Sequence, residues 1–366
     1  MDIRGIDHVE FFVGDAQHHA YYLCTAFGFR IVGQGGPETG MAGQRSLLVR
    51  QGDIRLLLTS ALTAEHPAAS YVAAHGDGVA CIAVETADAR AAYAAAIARG
   101  ARSAAEPQRF RSQDEIVTAA EVYGFGDVRH RFVERRPGSR GFLPGAIDEF
   151  AGDPEAGEEL LTTVDHVAVC VPAGALAATV TLYERVFGFE TIFQERIEVG
   201  DQAMNSSVVQ STSGQVTLTL LEPDPAREPG QIDRFLTAHG GAGVQHLAFL
   251  TTDIVDAVAR LTARGLQFLK TRDSYYDRLA TRLTGLDADV ELLRSNNVLV
   301  DRDHWGELFQ IFTRSMHVRD TYFVELIDRH GARTFGGGNI TALYEAVLAA
   351  ESGADDDGRL TTGTGR

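Results

Sequence analysis

IDHVEFFVGD at residues 6–15 returns, altered, as VDHVAVCVPA at 164–173. Both strings are rich in Val, Ile and Phe and read as strands, with a histidine at the same place in each. The likeness continues outward. A helix-like stretch follows each, closing on Phe27-Gly28-Phe29 and on Phe187-Gly188-Phe189. Two strand patterns come next, RSLLVRQGDIRLLLTS against NSSVVQSTSGQVTLTLLEP, with hairpin turns at Gln51-Gly52-Asp53 and Ser213-Gly214. HGDGVACIAVETAD at 75–88 then matches HGGAGVQHLAFLTTD at 239–253, and each leads into an amphipathic helix ending at Gly100 or Gly265. An internal duplication of this kind sets the architecture before any motif is read. The expectation is an α+β chain of tandem βαβββ modules, two in each half. Residues 1–136 form the first domain, 137–162, rich in Pro, Gly and acid, the linker, and 163–352 the second domain. The polar tail 353–366 is expected to be disordered.

Composition narrows the class. With 366 residues, 45% hydrophobic and 23% charged, the chain can build two ordinary cores. A formal net charge of -17 argues against nucleic acid, whose phosphates such a surface repels. Cys24, Cys81 and Cys170 are too few for a disulfide framework and none forms a CxxC pair. No apolar run reaches membrane-spanning length, and no leader-like segment opens the chain. A cytoplasmic protein is expected.

The second half concentrates ligand-type residues in strands: His166 in TTVDHVAVCV, His246 in GVQHLAFL and Glu325 in TYFVELID. One histidine in an apolar strand is more often a core residue than a ligand. A carboxylate flanked by Phe323, Val324, Leu326 and Ile327 is harder to dismiss, because a buried charge needs a cation near it. Two imidazoles and a carboxylate on one side of an ion make a ferrous site with positions left open for substrate and dioxygen. The aligned residues of the first half are His8, Cys81 and about Arg131, so one metal per chain is expected. Of the other histidines, His18, His19, His66, His130, His304, His317 and His330 are expected to be solvated. His75 and His239, at matching places before glycine turns, are expected to serve those turns.

These residues resemble the vicinal-oxygen-chelate superfamily and, within it, the 4-hydroxyphenylpyruvate dioxygenase family. The resemblance runs from about residue 5 to 350 and rests on VDHVAVCV, NSSVVQS, PGQIDRFL, GAGVQHLAF, ELFQIFT and FGGGNITALYEA. It implies two open-barrel domains of the glyoxalase-like fold and one Fe(II) held by His166, His246 and Glu325. It also implies 4-hydroxyphenylpyruvate and dioxygen as substrates, with no nucleic acid and no membrane as partners. Edge strands of such barrels could pair two chains into a homodimer. Ser206, Thr219, Leu221, Gln310, Ile340 and Tyr344 match positions that line the substrate pocket. Where the ring-hydroxylating members read Pro-Leu-Asn-Glu, this chain has Thr219-Leu220-Leu221-Glu222; where they carry two phenylalanines on the C-terminal helix, it has Ile340 and Tyr344. Both departures match the branch that hydroxylates the benzylic carbon and releases 4-hydroxymandelate and carbon dioxide, a step toward peptide antibiotics. The alternatives are homogentisate formation, extradiol cleavage of a catechol, and a metal-free binding protein of the same fold. The helix from Asn339 to about Ala350, preceded by Gly336-Gly337-Gly338, is expected to hinge as a lid over the pocket.

Overall fold

The computed structural model describes residues 1–342 except 114, 137, 140, 152–158 and 287; Tyr344, most of the expected lid helix and the tail lie outside the described residues. The first module runs β1 (Ile3–Phe12), α1 (Ala16–Tyr22), β2 (Arg30–Gly35), β3 (Gln44–Gln51) and β4 (Ile54–Ala61). After α2 (Pro67–His75), the second runs β5 (Gly78–Thr86), α3 (Ala89–Ala98), β6 (Ser103–Ser112), β7 (Glu115–Tyr123) and β8 (Arg129–Arg135). A short β9 (Asp148–Glu149) follows. The third module is β10 (Val164–Cys170), α4 (Leu176–Leu182), β11 (Glu190–Val199), β12 (Gln202–Gln210) and β13 (Thr217–Pro223). The fourth follows α5 (Gln231–His239): β14 (Gly243–Leu250), α6 (Ile254–Ala263), α7 (Asp273–Arg282), α8 (Val290–Ser295), β15 (Leu299–Arg302), β16 (Glu307–Phe312) and β17 (Phe323–His330).

Each half folds into one curled sheet. The orders are β6-β7-β8-β5-β1-β4-β3-β2-β9 and β11-β12-β13-β10-β14-β17-β16-β15. In both, two modules meet at an antiparallel pair, β1 with β5 and β10 with β14. Parallel pairs flank it on either side. The repeated Phe-Gly-Phe explains itself here: Gly28 and Gly188 sit at φ 82° and 73°, the left-handed position that ends a helix without steric cost. The phenylalanines on either side are buried.

Alternation along the central strands divides their side chains between two destinations. Val9, Phe11, Val167, Val169, Leu247, Phe249, Val324 and Leu326 point into one core shared by both halves. Phe29 of the first half meets Phe249 of the second with ring centres 6.1 Å apart. The residues between them in sequence face the hollow of each sheet.

Four expectations need revision. The described part of 137–162 is more than a connector: β9 pairs with β2, and Phe142, Leu143 and Ile147 pack on the first sheet. Helices α7 and α8 interrupt the fourth module and have no counterpart among the described residues of the first half. Among the histidines expected to be solvated, His18, His304 and His330 are exposed, but His19 and His130 are buried and His66 and His317 half-buried. Loop position does not imply exposure where two halves press together. His75 and His239 end α2 and α5 and do more than serve turns; they stack on each other at 4.4 Å across the junction of the halves. Among the described residues no helix is long and apolar enough to cross a membrane, and all three cysteines are free.

Candidate metal centre

His166, His246 and Glu325 lie on β10, β14 and β17, three adjacent strands at the middle of the second sheet. Register brings them together. His166 pairs with Ala248, which pairs with Glu325; Ala168 pairs with His246 in the neighbouring row. The two alanines on this face leave room where larger side chains would push the ligand-type groups apart. His166 Nε2 lies 3.3 Å and His246 Nε2 3.2 Å from the same oxygen, Glu325 Oε2. Adjacent donors on an ion with bonds of about 2.1 Å at right angles stand roughly 3.0 Å apart. The three groups therefore need only a slight adjustment to hold one ion on one face, and the donor set fits ferrous iron.

The electrostatics agree with a cation between them. Burial alone would raise the Glu325 carboxyl, but the His166 charge and the hydrogen bonds to both imidazoles hold it at about 2. Burial alone would lower His166, yet Glu325 and Asp165 raise it to about 9. His246 is pushed down, chiefly by burial. Without an ion the carboxylate keeps a proton on His166; an ion at this spot replaces that proton.

Neighbouring groups fix the orientations. Asp165 Oδ1 is 2.8 Å from His166 Nδ1, and Arg329 donates to both Asp165 oxygens at 2.7 and 2.9 Å. His166 meets the edge of Phe335, and His246 stacks on Phe323 at 4.8 Å. Gln310 Nε2 donates to Glu325 Oε1 at 2.7 Å, and its Oε1 accepts from Asn339 Nδ2 at 2.8 Å. Tyr275 donates to Asn339 Oδ1 at 2.9 Å. Gln310, expected to bind substrate, is thus engaged at both ends of its amide and ties the carboxylate to the start of the C-terminal helix.

The same construction stands in the first half with an arginine at its centre. His8 pairs with Ala83 and Ala83 with Arg131, row for row with His166, Ala248 and Glu325. Asp7 meets His8 Nδ1 at 2.6 Å and is held by Arg135, as Asp165 is by Arg329. In place of an ion, the Arg131 guanidinium reaches His8 Nε2 at 2.8 Å, Glu10 at 2.7 Å and Glu121 at 2.7 Å.

A small cavity of about 40 Å³ adjoins the His/His/Glu group, lined among others by Met204, Thr219, Leu221, Gln231, Phe335 and Ile340. Thr219 Oγ1 and Gln231 Oε1 are buried there without a hydrogen-bond partner. A model of the glyoxalase/bleomycin resistance protein/dioxygenase superfamily matches residues 5–118 and 163–311. A 4-hydroxyphenylpyruvate dioxygenase of Dictyostelium discoideum is 33% identical across 94% of this chain and 97% of its own length. One of Coccidioides posadasii is 32% identical across 94% and 92%. The chain belongs to the 4-hydroxyphenylpyruvate dioxygenase family. Among solved structures, a triple mutant of 4-hydroxymandelate synthase from Streptomyces coelicolor superposes with a TM-score of 0.86 at 42% identity, over 96% of this chain and 100% of that one.

In this member of the 4-hydroxyphenylpyruvate dioxygenase family the pocket gathers Thr219, Leu221, Gln310 and Ile340 of the residues singled out in the sequence. Ser206 does not line it; it is buried on β12 opposite Leu221 and Glu195. Gln231, Gln245, Met204, Phe312 and Phe335 line it and were not anticipated. Gln245 precedes His246 and by alternation belongs to the other face, but a register shift of β14 against β10 lies beside it. The hinge reading of Gly336-Gly337-Gly338 concerns a lid helix most of which lies outside the described residues. Only Gly336 has a positive φ, 65°. At Gly337 a Cβ would stand 2.7 Å from the Glu195 carboxylate. These glycines permit close packing at the helix start.

Proposed function

We propose that the chain is an Fe(II)-dependent dioxygenase that converts 4-hydroxyphenylpyruvate and dioxygen to 4-hydroxymandelate and carbon dioxide. The observation that carries this reading is a fully buried His/His/Glu group opening on a closed pocket with unsatisfied polar atoms on its wall. His166, His246 and Glu325 would hold one iron per chain, leaving the side toward the pocket for substrate. Bound iron supplies the redox chemistry of decarboxylation and hydroxylation; the electrons come from the 2-oxo acid itself, so no second organic cofactor is required.

The protein's part is placement. Phe312 and Phe335 offer flat apolar walls for the arene. Thr219 Oγ1 and Gln231 Oε1 are buried groups in need of partners, which a phenol or carboxylate of the substrate would provide. Leu221 and Ile340 pack in one apolar cluster with Ile197, Val199 and Met204, closing the pocket against water. The benzylic and ring carbons are neighbours, so the product depends on the pose these walls impose.

The mandelate product is supported by Thr219, Leu221 and Ile340 on the pocket wall, and by 42% identity to a 4-hydroxymandelate synthase against 32% and 33% to the named dioxygenases. Those dioxygenase names favour homogentisate as a second reading. Anaerobic loading with ferrous iron and 4-hydroxyphenylpyruvate, followed by air, decides the matter through chromatography and mass of the product. 4-Hydroxymandelate supports the proposal. Homogentisate keeps the metal and substrate and overturns the product.

A further inference from the structure

A second group of ligand-type side chains lies where the two halves meet and shares no residue with the His166, His246 and Glu325 group. His19 stands on α1, Asp77 follows α2, and His317 sits in the connection from β16 to β17. One donor atom from each lies within 4.8 Å of the other two. His19 Nδ1 is 3.8 Å from Asp77 Oδ2, and the two imidazole rings are 5.5 Å apart between centres.

Hydrogen bonding does not account for these groups. His19 is only 8% exposed, and its Nε2 is buried without a partner. Both ring nitrogens of His317 are likewise buried and unpartnered. Asp77 gives one oxygen, Oδ1, to the Gly14 N–H at 2.8 Å and turns the other toward His19. Buried nitrogens without partners are costly, and three of them on two rings from separate segments, beside the Asp77 carboxylate, point to a missing common partner.

We propose that His19, Asp77 and His317 bind a divalent transition-metal ion of the zinc class. Two imidazoles and one carboxylate oxygen suit such an ion, with water as fourth ligand. Tetrahedral donors on bonds of about 2.1 Å stand roughly 3.4 Å apart, so the side chains close by an ångström or so on binding. The surroundings hold both rings near that geometry. His317 stacks on Tyr322, Tyr322 meets the edge of Phe11, and Phe11 lies beside His19. Arg319, in the same connection as His317, donates to the carbonyls of Ala73 and Ala74 in α2. The ion therefore cross-links the first half to the segment that leads directly into β17, the strand of Glu325.

The test counts ions on the full chain. Protein stripped by a chelator is dialysed against zinc chloride, and bound zinc per chain is measured by atomic emission. Wild type should bind two, Glu325→Ala one, His317→Gln one, and the double variant none. Added zinc should raise the thermal midpoint of Glu325→Ala by several degrees and leave the double variant unmoved. Asp77→Asn, a milder change at an accessible residue, should weaken the second site at least tenfold. The proposal is overturned if Glu325→Ala binds no zinc, or if His317→Gln and Asp77→Asn both still bind two.

Discussion

Ile340 reaches the pocket from the first turn of the C-terminal helix and packs near Leu221 and Met204. Ile340→Phe puts a flat ring where a branched aliphatic stood and tilts the bound arene. We expect the ring-hydroxylated or otherwise diverted share of product to rise several-fold, read from chromatographic product ratios; an unchanged ratio would remove Ile340 from the specificity argument. Asp165 acts through His166. Asp165→Asn frees the imidazole to choose another tautomer, and metal affinity should fall about 10- to 100-fold in a chelator competition. Asp7→Asn, its counterpart beside His8, should leave that affinity unchanged. Glu325 was legible because a carboxylate among four apolar neighbours announces a buried charge. Asp165 was legible only by comparison: Asp precedes His at both 7–8 and 165–166, and Arg follows four residues after Arg131 and after Glu325. Gln245 was not legible, because a bulge leaves no mark on the alternation that assigns faces.

Strands explain why the ligand set proposed for iron is assembled in the second sheet and not at the matching place in the first. The rows His8–Ala83–Arg131 and His166–Ala248–Glu325 match in register, and in the next row Glu10 and Cys81 stand where Ala168 and His246 do, so these exchanges change what the site can hold. Arg131 satisfies His8, Glu10 and Glu121 at once. Arg131→Ala leaves Glu10 without its paired cation and Glu121 with Arg129 alone, and should cost about 3–5 kcal/mol, measured by urea unfolding. Arg131→Lys should recover only part of this, since a single ammonium cannot meet three acceptors with a planar fork's geometry. The modules themselves were readable, because a period-two pattern followed by a Gly-ended helix repeats four times. Helices α7 and α8 were not, since they fall where the duplication supplies no second copy to compare. The glycines before the C-terminal helix are ambiguous for a related reason: a Gly run has the same spelling whether it bends or lets neighbours approach.

Across the whole molecule the halves are joined by aromatic and imidazole contacts that sequence alone assigns to loops. His130 of β8 lies 2.8 Å from the Tyr183 hydroxyl of the second half and is buried. Burial lowers it from 6.5 to about 4. Its folded value lies below its unfolded one, so its contribution is full above about pH 6.5 and is lost as pH falls toward 4. Stability should drop by about 2 kcal/mol between pH 7.5 and 5 through this residue. His130→Gln should flatten that part of the urea midpoint's pH profile, and an equally steep profile would count against the assignment. His239, held at about 4 chiefly by burial, adds a parallel loss that the variant leaves in place. The guanidinium of Arg131 has a bearing on supply. Iron must be acquired, can be stripped by a chelator and can be oxidised; a cation that is part of the polypeptide can be neither scarce nor removed. The cation of the first sheet therefore arrives with the polypeptide, whereas the iron proposed for the second would have to be delivered.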